Sequence, residues 1–238
     1  MLSSIAALPR RSRASGSRVD SSGKAQLQEY IQRFTLSLNA EIERLLPSNL
    51  QPLGQHVQWL SALDSVRYGI SPSTDFVRAA GLADQPSLLE NCWSQLGLCW
   101  DGVGLLGHSR SRPQGVLLVE ARSQIEESGG PGCCAPACST PLVLDTFRET
   151  REWLEAHETE DWTGALYRTA NRLAHLHMLR NHLGIPAWLV QVYFVNDPDE
   201  PASRADWLPI IAGVNARLGL SRRPPFTLDV FLPALNPA

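Results

Sequence analysis

The sequence predicts an α/β protein, a mixed β-sheet flanked by helices, and three observations predict it. Residues 25–46 place Leu27, Tyr30, Ile31, Phe34, Leu38, Ile42, Leu45 and Leu46 on one helical face, and Pro47 stops the helix. Apolar runs at 116–119 and 187–195 have the length and content of buried strands. Between them, helical spacing returns over 142–157 and again over 164–181. The order helix, hairpin strands, helix, helix, strand suits a sheet covered by helices.

The remaining elements follow from local signals. Residues 57–63 can form a strand. Residues 74–80 read as a short helix with Ser73 or Thr74 at its cap and Gly81 after it. A second helix over 88–96 delivers the chain to the hairpin. Leu144, Phe147, Trp153 and Leu154 give 142–157 a packing face. Thr163 is the expected cap of the long helix, which Gly184 and Pro186 end. A helix over 204–218 and a closing strand over 227–232 complete the order.

A chain of 238 residues can bury one sizeable core but is short for two typical domains. The expected organisation is a basic tail, 1–24, and a single domain, 25–238, with a Cys/Gly/Pro-rich loop at 128–141. The tail carries Arg10, Arg11, Arg13, Arg18 and Lys24 against Asp20 alone, among many Ser and Gly, so it is expected to be disordered. An organelle transit peptide is the alternative, whereas 5–8 is too short for a secretory apolar core. Of 21 basic and 24 acidic residues, 16 and 23 fall in the body, a net of −7. That counts against strong duplex binding, which draws on phosphate neutralisation. No run approaches the roughly 20 apolar residues that span a bilayer, so a soluble, cytoplasmic chain without a membrane partner is expected. Cys92 and Cys99 read as core thiols, and Cys133, Cys134 and Cys138 as part of a surface loop, with a metal knuckle or redox chemistry as the alternatives.

The most informative segments are Trp100-Asp101-Gly102-Val103-Gly104 and Gly115-Val116-Leu117-Leu118-Val119-Glu120-Ala121-Arg122. If 105–107 and 115–117 flank a hairpin loop, antiparallel pairing centred near Ser111 brings Asp101 opposite Glu120 to Arg122. Glu120 and Arg122 then share one strand face, and Val119 and Ala121 the other. Two carboxylates and a cation in one patch suit a divalent metal with hard oxygen ligands. Taken singly, Asp101 reads as a turn or strand-end carboxylate capping a backbone N–H, and Glu120 with Arg122 as a surface ion pair closing a strand.

An Asp on one strand, a hairpin and an acid-x-base ending to the next strand resemble the core signature of the PD-(D/E)XK nuclease superfamily, with Arg122 in the lysine slot. The segments 100–104, 117–122, 162–179 and 187–198 also resemble an uncharacterised bacterial family of predicted nuclease-like proteins. The resemblance implies a restriction-endonuclease-like core and a metal-dependent phosphodiesterase acting on nucleic acid. Asp101 and Glu120 would hold Mg²⁺ or Mn²⁺, with Asp101, Glu120 and Arg122 as the catalytic set. Arg122 could steady charge on the phosphorane but cannot act as a base, since its guanidinium stays protonated. The alternative is a catalytically inactive nuclease-fold module, binding or defence-associated.

The long helix adds a polar stripe. Tyr167, Asn171 and His175 recur at i, i+4 and i+8, with Arg168 and Arg172 beside them. One expectation is a half-exposed flank; the other is a face looking onto Asp101 and Glu120 that contacts substrate phosphates. In nuclease branches of the superfamily a helix here adds a Gln and a Tyr, and the closer family has Gln where this chain has Arg168. A zinc hydrolase built on His175 and His177 fails on geometry, because i, i+2 side chains point to different helix faces.

Overall fold

The computed structural model describes residues 23–51, 56–60, 100–107, 114–125, 141–157, 160–198 and 201–235. The expected helices at 74–80 and 88–96, the loop at 128–141 and residues 1–22 of the expected tail lie outside them. Helix α1 (Gly23–Arg33) starts inside the segment expected to be tail and is followed by α2 (Thr35–Leu45). The single helix expected over 25–46 is therefore two. Phe34 departs from helical geometry, and the Thr35 hydroxyl donates to the Ile31 carbonyl one turn back, a contact that bends helices.

Among the described residues the sheet has five strands in sequence order: β1 (Gln58–Leu60), β2 (Gly102–Leu106), β3 (Gly115–Arg122), β4 (Ala187–Val195) and β5 (Thr227–Pro233). β1, β2 and β3 are antiparallel neighbours, whereas β3, β4 and β5 run parallel. The crossover from β3 to β4 carries α3 (Pro141–Leu154) and α4 (Tyr167–His177), and that from β4 to β5 carries α5 (Arg204–Arg217). This is the mixed, helix-flanked sheet that the sequence predicts. Among the described residues no helix is long and apolar enough to cross a membrane.

The hairpin register matches expectation. Leu105 pairs with Val116 and Gly102 with Val119, which sets Asp101 opposite Glu120. Alternation then sorts the side chains. Leu117, Val119, Ala121, Trp188, Val190, Val192 and Phe194 pack beneath α1 and α2 with Leu27, Tyr30, Leu38 and Ile42. Val116, Leu118, Ala187 and Leu189 pack beneath α3 and α4 with Phe147, Leu173 and Leu176. Gly104 is required by close approach, because a Cβ there would meet Val57 at 2.5 Å. Gln26 fastens α1 to the sheet: its amide donates to Asp197 at 2.7 Å, and its carbonyl accepts from the Leu235 N–H at 3.0 Å.

Two details of the second crossover differ from expectation. Thr163 does not cap α4; its hydroxyl and N–H both donate to Asp161, and residues 162–166 are turns. The helix also ends early as an α-helix, at His177, and continues as a π turn over Met178–His182. At α5 the start is a capping box, in which Ser203 and Asp206 satisfy each other's backbone N–H groups. Trp207, fully buried, donates its indole N–H to the Phe194 carbonyl at 3.0 Å and fixes α5 against β4.

Candidate functional site

Glu120 is the centre of the polar cluster, and it is only 1% exposed. Its place at the end of β3 puts it on the α4 side of the sheet, next to Gln191 of β4 and, across that strand, Asp229 of β5. Arg122, two residues on, points the same way and approaches Glu120 at 3.4 Å. It also donates to Gln191 Oε1 at 2.9 Å, which accepts from the Tyr193 hydroxyl at 3.0 Å.

Helix α4 closes the cluster from above. Arg168 and Arg172, four apart and so on one face, both pair with Glu120, the Arg172 Nε at 3.2 Å. Arg172 also lies 4.3 Å from the centre of the Trp100 ring, a cation–π contact. Three guanidinium groups therefore converge on one buried carboxylate. Burial alone would raise the Glu120 pKa, but Arg122, Arg172 and Arg168 together hold it down at about 2. Asp101 behaves oppositely: burial raises its pKa, only partly opposed by the Ala121 N–H that donates to its Oδ2 at 2.9 Å. Asp229 is likewise raised by burial, against the pull of Arg223 and Arg122.

The residues singled out from the sequence separate into two groups. Asp101, Glu120, Arg122, Arg168 and Arg172 come together. Tyr167 instead meets Phe147 edge-on at 6.0 Å, and the His175 ring stacks on Trp100 at 5.5 Å, so this stripe packs into the core beneath α3 and α4. Asn171 and His175 are buried, which overturns the half-exposed flank. Burial, and then Arg172, lower the His175 pKa to about 3, so the ring is neutral. The two single-residue expectations also hold in geometry: Asp101 caps a backbone N–H, and Glu120 pairs with Arg122, but inside the protein rather than on its surface.

Sequence reasoning missed Gln191, Tyr193 and Asp229. Gln191 is a lone amide in the otherwise apolar strand Ala187–Val195, which is the signal that finds it. Beside it lies a cavity of about 20 Å³ between β4 and α5, lined by Arg122, Thr169, Gln191, Tyr193 and residues of α5. That is room for about one water.

Fold and site together define a mixed α/β protein with a buried carboxylate–arginine cluster toward the carboxyl ends of its parallel strands. No family model, no curated protein and no solved structure matches this chain.

Proposed function

We propose that this protein is a nuclease-fold module that binds nucleic acid without cutting it, its acid-x-base patch filled by arginine where a metal-dependent enzyme of PD-(D/E)XK type would keep a cation. The mixed sheet and the hairpin that sets Asp101 opposite Glu120 are compatible with that fold. The observation that carries the reading is Glu120 itself, 1% exposed and enclosed by Arg122, Arg168 and Arg172. A divalent cation at this carboxylate would meet three fixed positive charges, and Asp101 already spends one oxygen on Ala121. As arranged, the pair does not fit Mg²⁺ or Mn²⁺.

The same cluster supports a binding role. Counting Asp101, Glu120 and Asp229 against Arg122, Arg168, Arg172 and Arg223 leaves one positive charge in surplus, and the Arg168 side chain is 43% exposed. A backbone phosphate approaching this end of the sheet meets Arg168 first, and the planar guanidinium matches phosphate geometry. With a body of net −7, binding is weak and falls with salt.

The opposing reading, a metal-dependent phosphodiesterase on Asp101 and Glu120, is favoured by their register across β2 and β3 and requires Arg168 to swing away. One set of assays decides between them. Labelled single-stranded DNA, duplex DNA and RNA are incubated with the protein and Mg²⁺ or Mn²⁺, and binding is followed by fluorescence anisotropy at several salt concentrations. The expected result is intact oligonucleotide, and salt-sensitive binding that Arg168→Ala weakens. Metal-dependent cleavage that disappears in Glu120→Gln would establish the enzyme instead.

A further inference from the structure

The far end of α4 carries a second polar cluster, unrelated to the Glu120 patch. Nine residues separate Arg168 from His177, about 13 Å along a helix rising 1.5 Å per residue. His177 ends the α-helical part and His182 ends the π turn that follows. In a continuous α-helix, residues five apart lie about 140° from each other around the axis. A π turn closes hydrogen bonds five residues apart, as the Leu183 N–H does to the Met178 carbonyl at 3.1 Å. That underwinding brings His182 back over His177, the two rings meeting edge-on with centroids 5.2 Å apart.

The neighbouring helix α3 supplies Glu149, whose Oε2 lies 3.3 Å from His182 Nε2. One ligand atom from each of Glu149, His177 and His182 lies within 4.8 Å of the others. Two ligands about 2.0 to 2.1 Å from one tetrahedral ion are about 3.3 Å apart, so the Glu149 to His182 separation already fits. His177 is buried, 7% exposed, and its Nδ1 has no hydrogen-bond partner. A buried imidazole nitrogen without a partner is costly unless something binds it. The Trp153 ring packs on His177 at 5.2 Å and holds it in place. The nearby cation, Arg180, is turned away to the Ala187 carbonyl and over the rings of Phe226 and Trp188.

We propose that Glu149, His177 and His182 form a zinc site. Two imidazoles and one carboxylate are a donor set that zinc accepts, with three protein ligands and a fourth position left to water. The Glu149 and His182 side chains are 42% and 44% exposed, so the ion reaches the site from solvent and the fourth position stays open. The π turn is the device that builds the site, and π turns recur where helices carry function.

The test is equilibrium dialysis of the full chain against Zn²⁺, with Co²⁺ absorption reporting ligand geometry. Because His182 and Glu149 are half-exposed, His182→Ala and Glu149→Gln leave the fold standing, which circular dichroism verifies. Cys133→Ser, Cys134→Ser and Cys138→Ser, combined in one chain, remove the thiols as a source of binding. The expected result is a single zinc per chain, retained by the serine variant and weakened more than about 10-fold by His182→Ala and by Glu149→Gln, at least the loss seen when only outer partners of a metal ligand are removed. Cobalt should show a tetrahedral spectrum without thiolate charge-transfer bands. Binding weaker than about 100 μM in the parent chain, or binding that survives His182→Ala and vanishes in the serine variant, would overturn the proposal.

Discussion

On the α1 and α2 side of the sheet the inward side chains of β3 and β4 are apolar throughout; on the α3 to α5 side the same strands change from apolar to charged partway along. Leu117, Val119, Ala121, Val190 and Val192 form the first face. Val116 and Leu118 begin the second, which then continues as Glu120 and Arg122 beside Gln191 and Tyr193. The first face stabilises by removing apolar surface from water, at about 25 cal/mol per Å². The second must offset a desolvation cost of several kcal/mol per ion before its pairs contribute anything. Buried ions of this kind are weak stabilisers.

The largest expected effect breaks the charged face at its centre. Glu120→Ala removes the carboxylate with which Arg122 and Arg172 pair inside the protein and should cost about 3 to 5 kcal/mol, the loss found when one partner of a buried pair is removed. Leu117→Ala on the opposite face should cost about 2 to 5 kcal/mol through the cavity it leaves. Urea unfolding measures both, and only the loss at 120 should shrink in an Arg122→Met, Arg172→Met background. A loss that is unchanged there would mean Glu120 acts by packing, and the two faces would be alike.

Replacing the charges together sharpens the contrast. Glu120→Leu with Arg122→Met and Arg172→Met should be neutral or gain about 1 to 4 kcal/mol, as buried ion clusters do when replaced by apolar side chains of similar volume. Thermal melting reads this directly. A triple variant as unstable as Glu120→Ala would show that the ion cluster is itself the stabiliser.

The pH dependence comes from buried groups on the α3 to α5 side of the sheet, His175 in the core and Glu120 in the cluster. His175 is held at about 3 against an ordinary 6.5, so between those values the unfolded chain binds a proton that the folded chain does not. Stability therefore falls as pH drops through that window, by up to about 1.4 kcal/mol per pH unit for this proton. Glu120, held at about 2 against 4.5, adds stability that is complete above 4.5 and lost as pH falls toward 2. Urea midpoints at pH 7, 6 and 5 should decline, and His175→Gln should flatten that decline. An unchanged slope would place the titrating group elsewhere.

The smallest effect is Arg122→Lys. Arg122 reaches Glu120 and Gln191 with different nitrogens of one planar group, and a lysine has a single ammonium to share between them. The loss should be about 1 kcal/mol, one hydrogen bond, seen as a small shift of the urea midpoint. A full loss comparable to Glu120→Ala would make Arg122 rather than Glu120 the centre of the cluster.

Much of this was legible along the chain. The hairpin register followed from two apolar strands and the turn between them, which is why Asp101 falls opposite Glu120 as expected. Strand 187–195 was legible because its apolar run is bounded by Gly184 and Pro186 on one side and Asp197 on the other. The break at Phe34 was not, because apolar spacing runs through it unchanged and the bend arises from the Thr35 hydroxyl. The polar stripe was legible as a pattern but not in its division, which sends Arg168 and Arg172 to Glu120 and Tyr167 and His175 into the core.

By itself, then, the sequence determined the class of fold, the hairpin and the pairing of an acid with an acid-x-base strand end, since each depends on periodicity or on residues about twenty apart. Only the tertiary structure decided that Glu120 is enclosed rather than open. That outcome depends on Arg172, 52 residues away, and on Gln191, which lies 69 residues from the Arg122 it accepts from. Those partners meet through a parallel crossover whose register no local pattern encodes. The meeting of His177 and His182 was hidden for a different reason: an α-helical reading turns residues five apart away from each other, and the underwound turn at the end of α4 reverses this.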